Sequence, residues 1–347
     1  MSDTKEVIQA RLLAEIDNTY DKTEGSFVYD VEKPVAIELE KSYIVQDLIT
    51  NKGFADTASG TYLERKVGAY GLYRKMATNA TTTVTITGTI GALIITGDKV
   101  ATDLVNFTFV EDKTIGETGI ETVNVICDVT GIMGNVPVGA IKYYPVTLAG
   151  LVSVTNTIAI TNGYAAETDN ELRLRYYVKV QNPGTSGNVA AYIAWCLSVT
   201  GVGGTKIFSL WNGNGTVKAT IINSNKRAAD AQLIIDVATY IETVRPIGAT
   251  VTVISATEKP ISITVTLVID TDNYILADVK TAIETSLTDY FKTLAFTETY
   301  VSYAKIGNLI FDVAGVLDYS NLTVNSGTSN ITTDAEEIAV LGGVTLG

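Results

Sequence analysis

The apolar residues in the first part of the chain recur at helical spacing. In three stretches between residues 3 and 73 they recur as on one face of an amphipathic helix, and Gly25 breaks the pattern between the first two. The pattern predicts helices over 3–20, Pro34–Lys52 and 61–73, and Pro34 occupies the position that proline favours at a helix start. A helical region over 1–78 is therefore expected.

The second of these helices has a broad apolar stripe, with residues three, four and seven positions apart. A stripe of this kind usually packs within its own domain, and the alternative is a bundle with helices of other subunits. The predicted subunit-interface residues are Ile37, Leu39, Tyr43, Ile44 and Leu48.

The period changes to two after residue 78. Val84 and Ile86 alternate with threonines, and the runs around Phe107 and over 122–129 repeat this pattern of half-buried strands. Glycine-rich turns separate the runs. Residues 79–164 are therefore predicted to form a small antiparallel β domain.

The next segment alternates between helix and strand. Thr168-Asp169-Asn170-Glu171 has the form of a capping box, in which the threonine hydroxyl and the glutamate carboxylate each accept a backbone N–H. The segment 182–188 is expected to end that helix and begin another, and the glycines at 201–204 to end the second. A hairpin at 212–215 and a helix over 233–244 follow.

The last part of the chain contains its cleanest strand, where apolar residues from Ile261 to Ile269 alternate with serine and threonine. Two helices and a strand over 316–324 follow, and the tail after Asn325 is expected to form a turn and a short edge strand. The predicted fold class is α+β multidomain. Its parts are N-terminal helices over 1–78, an antiparallel β domain over 79–164, a middle α+β domain over 165–257 and a C-terminal α+β domain over 258–347.

Composition narrows the choice of partners. A length of 347 residues exceeds the ~250 at which a single core usually stops growing, in keeping with several domains. The net charge of -13 argues against nucleic acid, which needs clustered lysine and arginine. Because the apolar runs are too short to span a membrane and the opening residues do not resemble a secretory signal, a soluble chain is expected.

The chain contains no histidine, which removes the usual general base near neutral pH and the commonest zinc ligand. Its two cysteines, Cys127 and Cys196, are expected to be buried and inert. The acids Glu167, Asp169 and Glu171 resemble a metal or acid–base cluster, but helix capping explains them more simply. No catalytic residue, metal site or cofactor is predicted, and the chain is not expected to be an enzyme.

Several stretches occur in an order that resembles the baseplate J-like family. The likeness extends from about Gly25 to the C-terminus. The chain departs from the family in a polar insertion around 111–118 and in Asn162, where a second glycine is commoner. The matching stretches are ADTASGTYLERKVGAYGLYRKMAT (Ala55–Thr78), GNVPVGAI (Gly134–Ile141), NGYAAETDNELRLR (Asn162–Arg175), NPGTSGN (Asn182–Asn188), GNGTV and RPIGATV.

The resemblance implies a structural protein of the baseplate wedge in a contractile tail, either of a phage or of a phage-tail-like particle such as a tailocin or another contractile injection system. Its implied partners are further copies of itself, other wedge proteins, and hub and sheath-proximal proteins, assembled in the bacterial host cytoplasm. Copies would form a ring around the central hub that rearranges when contraction is triggered. The unit after Pro260 would supply a ring contact.

The residues alone, without the family resemblance, leave two other classes of function open. An extracellular adhesin or carbohydrate-binding β protein would be expected to carry a secretion signal. A carboxylate-dependent hydrolase would need two convergent acids and a site motif.

Overall fold

The computed structural model describes residues 3–181 and 187–347. Helices come first, a run of antiparallel strands follows, and helices and strands are mixed in the remainder, which confirms the α+β class. The chain divides into two compact units. The first is formed by the chain up to Arg74 with Glu167–Tyr177, and the second by Lys75–Ala166 with Val178–Gly347. The four-domain division predicted from the sequence stays a prediction.

The first unit is helical and has two small cores. Helix α1 packs against α2, where Ile8 and Ala36 are fully buried. A second core joins α3 and the segment before it to the first part of α4, and its buried residues are Ala55, Ala58, Leu63, Val67, Leu172 and Tyr176. The helices are α1 (Lys5–Ala14), α2 (Phe27–Gly53), α3 (Gly60–Gly68) and α4 (Asp169–Gln181).

Helix α2 begins seven residues before the predicted start, so the prediction that Pro34 opens it was wrong. The hydroxyl of Ser26 caps the helix by accepting the N–H of Tyr29 at 3.2 Å. Pro34 lies in the second turn, on an exposed side of the helix. Proline lacks a donor N–H, so one helical hydrogen bond is missing there, but the turns on either side continue the helix.

The second unit opens with an antiparallel β domain, as predicted. Its main sheet has the strand order β3-β4-β6-β1-β7, and alternate residues of the strands fill one core, including Val84, Ile86, Phe107 and Phe109. The strands are β1 (Asn79–Gly88), β2 (Leu93–Ile94), β3 (Lys99–Ala101), β4 (Asn106–Phe109), β5 (Lys113–Thr114), β6 (Ile120–Thr130) and β7 (Leu151–Thr155).

A three-stranded sheet with two helices on one face follows. Strand β9 is central, antiparallel to β8 and parallel to β10. Residues of β9 and the helices, among them Tyr192, Ile221 and Val237, form the core. The elements are α5 (Val189–Ser198), β8 (Val202–Ser209), β9 (Thr216–Asn223), α6 (Ala231–Val244) and β10 (Thr250–Ser255).

Two local predictions for this sheet have different outcomes. Asn188 caps α5 by accepting the N–H of Ala191 at 2.8 Å, so a helix begins at the end of the segment 182–188, as expected. The helix stop expected in the same segment falls on residues 182–184, outside the described residues. Gly203 and Gly204, expected to end the helix, lie in β8 instead. A side chain at Gly203 would collide with the backbone of Asn223, so glycine permits the close approach of the two strands.

The C-terminal part is built around β11, which runs antiparallel to β13 and parallel to β15. Ile261, Ile263 and Val265 alternate onto the face that packs in one core with α7 and α8. The elements are β11 (Thr257–Ile269), α7 (Leu276–Leu294), β12 (Tyr300–Val301), α8 (Tyr303–Phe311), β13 (Val316–Val324), β14 (Ile331–Thr332) and β15 (Glu337–Leu346).

The tail forms an edge strand, as predicted, but the expectation that it is short was wrong. Strand β15 has ten residues and completes the sheet beside β11. Gly342 and Gly343 interrupt the alternation of the sequence. In the structure the pairing register shifts there and the strand continues, as in a β-bulge.

Cys127 and Cys196 are free and buried, as predicted. Burial raises the pKa of the Cys196 thiol to about 11, which keeps it protonated at neutral pH. In the described part of the chain, no helix combines the length and the apolar character needed to cross a membrane.

Candidate functional site

The acidic cluster at the start of α4 includes the predicted capping box. The N–H and the hydroxyl of Thr168 both donate to Glu171 Oε2 at 2.9 Å, and the N–H of Glu171 donates to Thr168 Oγ1 at 3.3 Å. This reciprocal arrangement satisfies backbone donors that a helix start leaves without partners. Glu171 therefore holds the first turn of the helix.

The other two acids of the cluster are paired with arginines. Glu167 accepts Nε and Nη2 of Arg175 at 2.5 and 2.7 Å, and both side chains are almost completely buried. Asp169 accepts the N–H of Gly60 at 2.9 Å and Nη2 of Arg74 at 2.5 Å. The hydrogen bond from Gly60, and after it the one from Arg74, lower the pKa of Asp169. Glu167 and Asp169 are thus each engaged in an ion pair with an arginine.

Arg74 joins two stretches of the chain that lie far apart in sequence. Its Nε donates to Glu64 Oε1 at 2.6 Å, its Nη1 to the backbone oxygen of Glu167 at 2.6 Å, and its Nη2 to Asp169. The planar guanidinium can serve three acceptors at once because its donors point in fixed, different directions. The stretches 55–78 and 162–175, noted separately in the sequence, meet at this side chain.

Arg173 makes a second connection between the same stretches. Its Nε and Nη2 donate to the backbone oxygens of Ala55 and Ala58 at 2.7 and 2.8 Å, beside the buried side chains of Leu63 and Leu172. The contacts of Arg74 and Arg173 therefore hold the two stretches together within the first unit. Within 3–181 and 187–347, no group of three or more cysteine, aspartate or glutamate residues could hold a metal ion.

The predicted interface residues of α2 do not share one face. Ile37, Leu39 and Tyr43 are half-buried, whereas Ile44 and Leu48 are exposed. At 3.6 residues per turn, Ile37 and Leu39 lie about 160° apart around the helix. As an interface, this set of five residues stays a prediction.

Helix α1 covers one side of α2. The backbone N–H of Lys5 donates to Glu40 Oε1 at 2.9 Å, and Arg11 Nη2 donates to the hydroxyl of Tyr43 at 3.4 Å. The fully buried Ala36 lies on the same side. Tyr43 is therefore partly used within the unit.

The opposite side of α2 carries an exposed apolar stripe, which we call the α2 stripe: Phe27, Val31, Val35, Val45 and Ile49. Phe27 is 84% exposed and Ile49 is 65% exposed. Phe27, Val31, Val45 and Ile49 lie within about 40° of one another around the axis. Exposed apolar side chains grouped on one side of a helix are typical of a contact site.

The gap in the middle of the α2 stripe is polar. Glu38 and Lys41 form an exposed ion pair at 2.6 Å, and Ser42 follows them. Sequence reasoning missed the stripe because the helix was expected to begin at Pro34 and because these polar residues interrupt the pattern. The four-residue steps from Phe27 to Val31 and from Val45 to Ile49 were the available signal.

A cleft of about 500 Å³ beside β1 and β6 offers no reactive constellation. Threonine, asparagine and aliphatic side chains line most of it, and its acid is Asp230. The Asp230 carboxylate accepts the N–H of Leu233 at 2.8 Å, so that it caps α6.

Comparison with known proteins finds consecutive matches along the chain. The models of the Baseplate J-like protein barrel domain, the Baseplate J-like central domain and the Baseplate J-like protein C-terminal domain match residues 83–163, 184–255 and 261–347. Phage-like element PBSX protein XkdT of Bacillus subtilis (strain 168) is 34% identical over 349 residues, which cover 98% of this chain and 97% of the relative.

Two further proteins are similar to the chain. Baseplate protein gp47 of Escherichia phage Mu is 28% identical over 159 residues, covering 45% of this chain and 44% of the relative. A chain in the cryo-EM structure of the anti-feeding prophage baseplate matches over 97% of both chains, with a TM-score of 0.41 and 8% identity.

Proposed function

Because the chain belongs to the baseplate J-like family, we propose that it is a structural, non-enzymatic component of the baseplate of a phage tail or phage-tail-like particle. The observation that carries the proposal is the full-length likeness to a protein of the phage-like element PBSX, together with consecutive matches to the barrel, central and C-terminal domain models. The relative from phage Mu, which is named a baseplate protein, supports the same role.

The finer role that we propose is in the baseplate wedge. Copies of the chain, with other wedge proteins, form a ring around the central hub of a contractile tail, next to hub and sheath-proximal proteins. The ring rearranges when contraction is triggered, and it is assembled in the cytoplasm of the bacterial host. The part of the chain from 258 to 347 contributes a ring contact.

The proposed contact between subunits in the first unit is the α2 stripe, with Ile37, Ile44 and Leu48 on one flank and Leu39 on the other. Tyr43, the fifth residue of the predicted set, lies on the side that faces α1. The proposed occupants of the α2 stripe are helices of neighbouring baseplate subunits. The 27 residues of α2 include only Ala36 as a buried residue, which is little burial for a helix with so many apolar side chains. A helical bundle would cover the exposed side because apolar residues three and four positions apart interlock with those of another helix.

Co-expression with the neighbouring baseplate proteins tests the role. We expect electron microscopy to show assemblies that contain the chain, and incomplete baseplates when it is omitted. Complete baseplates formed in its absence would contradict the proposal.

A further inference from the structure

Strand β10 lies at the edge of the three-stranded sheet β10-β9-β8. It pairs with β9 over six consecutive residues, from Thr250 with Thr216 to Ser255 with Ile221, without any shift in register. Among residues 3–181 and 187–347, no strand pairs with its other side. An unpaired strand edge offers a row of backbone donors and acceptors to another strand.

The backbone groups that point outward can be assigned from the observed bonds. The N–H groups of Thr250 and Ala256 donate toward β9, to the backbone oxygens of Gly215 and Ile221 at 2.8 and 2.9 Å. Successive backbone groups of a strand alternate between its two sides. Those of Val251 and Val253 therefore face away from β9, at the open edge.

Strand β10 differs from the other edge strands of the three larger sheets, each of which has a feature that hinders pairing. Strand β3 has only three residues, and its Ala101 already bridges to Tyr143. In β7 the backbone oxygen of Ser153 accepts the hydroxyl of Tyr144. Irregular register marks β8, β13 and β15, all of which also contain charged residues. Strand β10 has no charge, glycine, proline or irregularity.

The charge around β10 favours a second copy of the chain as its partner. The whole chain carries a net charge of -13, so two copies repel each other on average. The run from Ile247 to Thr257 has no charged residue, and its Ile247 is fully exposed. Two copies can meet along this run without bringing like charges of the strand together.

The register of β10 is also self-complementary. If two copies pair antiparallel about Thr252, Val251 of one copy lies opposite Val253 of the other. Both residues present outward N–H and C=O groups, so they form the hydrogen-bonded pairs of an antiparallel ladder. Thr252 then faces Thr252 of the second copy in a non-hydrogen-bonded pair, with Cα atoms about 4.5 Å apart.

We propose that two copies of this chain associate edge to edge through β10, in an antiparallel pairing centred on Thr252 that joins their sheets into one six-stranded sheet. This contact would be one site of the self-association that the proposed function includes. The evidence for it is the unpaired edge of β10, not that function.

Cysteine cross-linking of the full chain in solution tests the register. The Cα separation expected at the centre suits a disulfide, and both native cysteines are buried. Under mild oxidation, Thr252→Cys is expected to form disulfide-linked dimers. The matched control is Thr264→Cys, an exposed position on the central strand β11. Cross-linking of Thr252→Cys no faster than of the control would overturn the proposal.

A charge exchange at the same position supplies a second test. Like charges directly opposite each other destabilise a strand pair, whereas opposite charges stabilise it. Thr252→Lys and Thr252→Glu, each alone, are expected to raise the dissociation constant of self-association by ~tenfold or more in sedimentation experiments. An equimolar mixture of the two is expected to restore association. Thr264→Lys should leave it unchanged.

Association of Thr252→Lys alone as tight as that of the unmodified chain would contradict the proposal, as would a mixture that associates no better than either variant. These measurements use no other baseplate protein. A negative result would therefore overturn the β10 contact but would not bear on the baseplate role, which the co-expression experiment tests separately.

Discussion

The guanidinium of Arg175 and the carboxylate of Glu167 form a two-point ion pair in the first unit, with N–O distances of 2.5 and 2.7 Å. The side chains are only 10% and 6% exposed. Arg175 Nη2 also donates to the backbone oxygen of Tyr73 at 2.6 Å. One buried charge pair thus holds the start of α4 and the end of the segment after α3 together.

Removal of one partner of this pair is expected to leave the other charge buried and uncompensated. Arg175→Met should therefore lower the free energy of unfolding of the first unit by about 3–5 kcal/mol. Lys41→Met is the matched control, because its pair with Glu38 is exposed and should contribute at most about 1 kcal/mol. Urea unfolding measures both changes in free energy. Equal losses of stability in the two variants would show that the buried pair contributes no more than the exposed one.

The stabilising effect of Asp169 should depend on pH in a defined direction. Its folded-state pKa lies below the ordinary value of 3.8, because the carboxylate accepts the N–H of Gly60 and a hydrogen bond from Arg74. A depressed pKa contributes stability that is fully present above the unfolded-state pKa and is lost as pH falls through the folded-state pKa. The difference in unfolding free energy between the unmodified chain and Asp169→Asn should therefore be constant above pH 3.8 and shrink below it.

Urea titrations from neutral pH downward would measure this difference. A difference that grows as pH falls would have the wrong sign for a carboxylate held in its ionised form.

The capping box at α4 gives a prediction with a conservative control. Thr168→Val keeps the shape of the side chain but removes the hydroxyl that accepts the N–H of Glu171, so stability should fall by about 1 kcal/mol. Thr168→Ser retains the hydroxyl and should stay close to the unmodified chain. Thermal unfolding of the three proteins, followed by circular dichroism, distinguishes loss of the cap from a general effect of substitution at this position. Equal losses in the two variants would argue against the cap.

Local patterns in the sequence predicted local structure well. The capping box at Thr168 and Glu171 needs only four residues, and the alternation in β11 needs only one strand, so both could be predicted. Pairing between distant segments could not be predicted this way. The parallel partner of β11 is β15, whose start at Glu337 lies 80 residues after its partner Thr257.

The candidate contact surface was harder to predict for a physical reason. Whether an apolar residue of α2 is covered depends on where α1 packs, and the sequence of α2 alone does not determine the position of α1. Leu39 and Val45 are equally apolar in sequence, but Leu39 is half-buried and Val45 is 52% exposed. The arginine contacts of Arg74 likewise depend on a fold that brings residues 74 and 169 together.

The most direct test of the structural role is assembly with a disrupted α2 stripe. Val45→Asp combined with Ile49→Asp places two charges on its exposed side, where the fold does not need the aliphatic groups. The matched control is Gln46→Asp with Thr50→Asp, which has the same spacing and added charge on another side of the same helix.

The measurement is the fraction of complete baseplates seen by electron microscopy when each variant is co-expressed with the neighbouring baseplate proteins, after circular dichroism has confirmed that both variants fold. We expect the stripe variant to abolish assembly and the control to assemble like the unmodified chain. Complete baseplates that incorporate the folded stripe variant at the normal level would contradict the proposal that α2 joins the subunits.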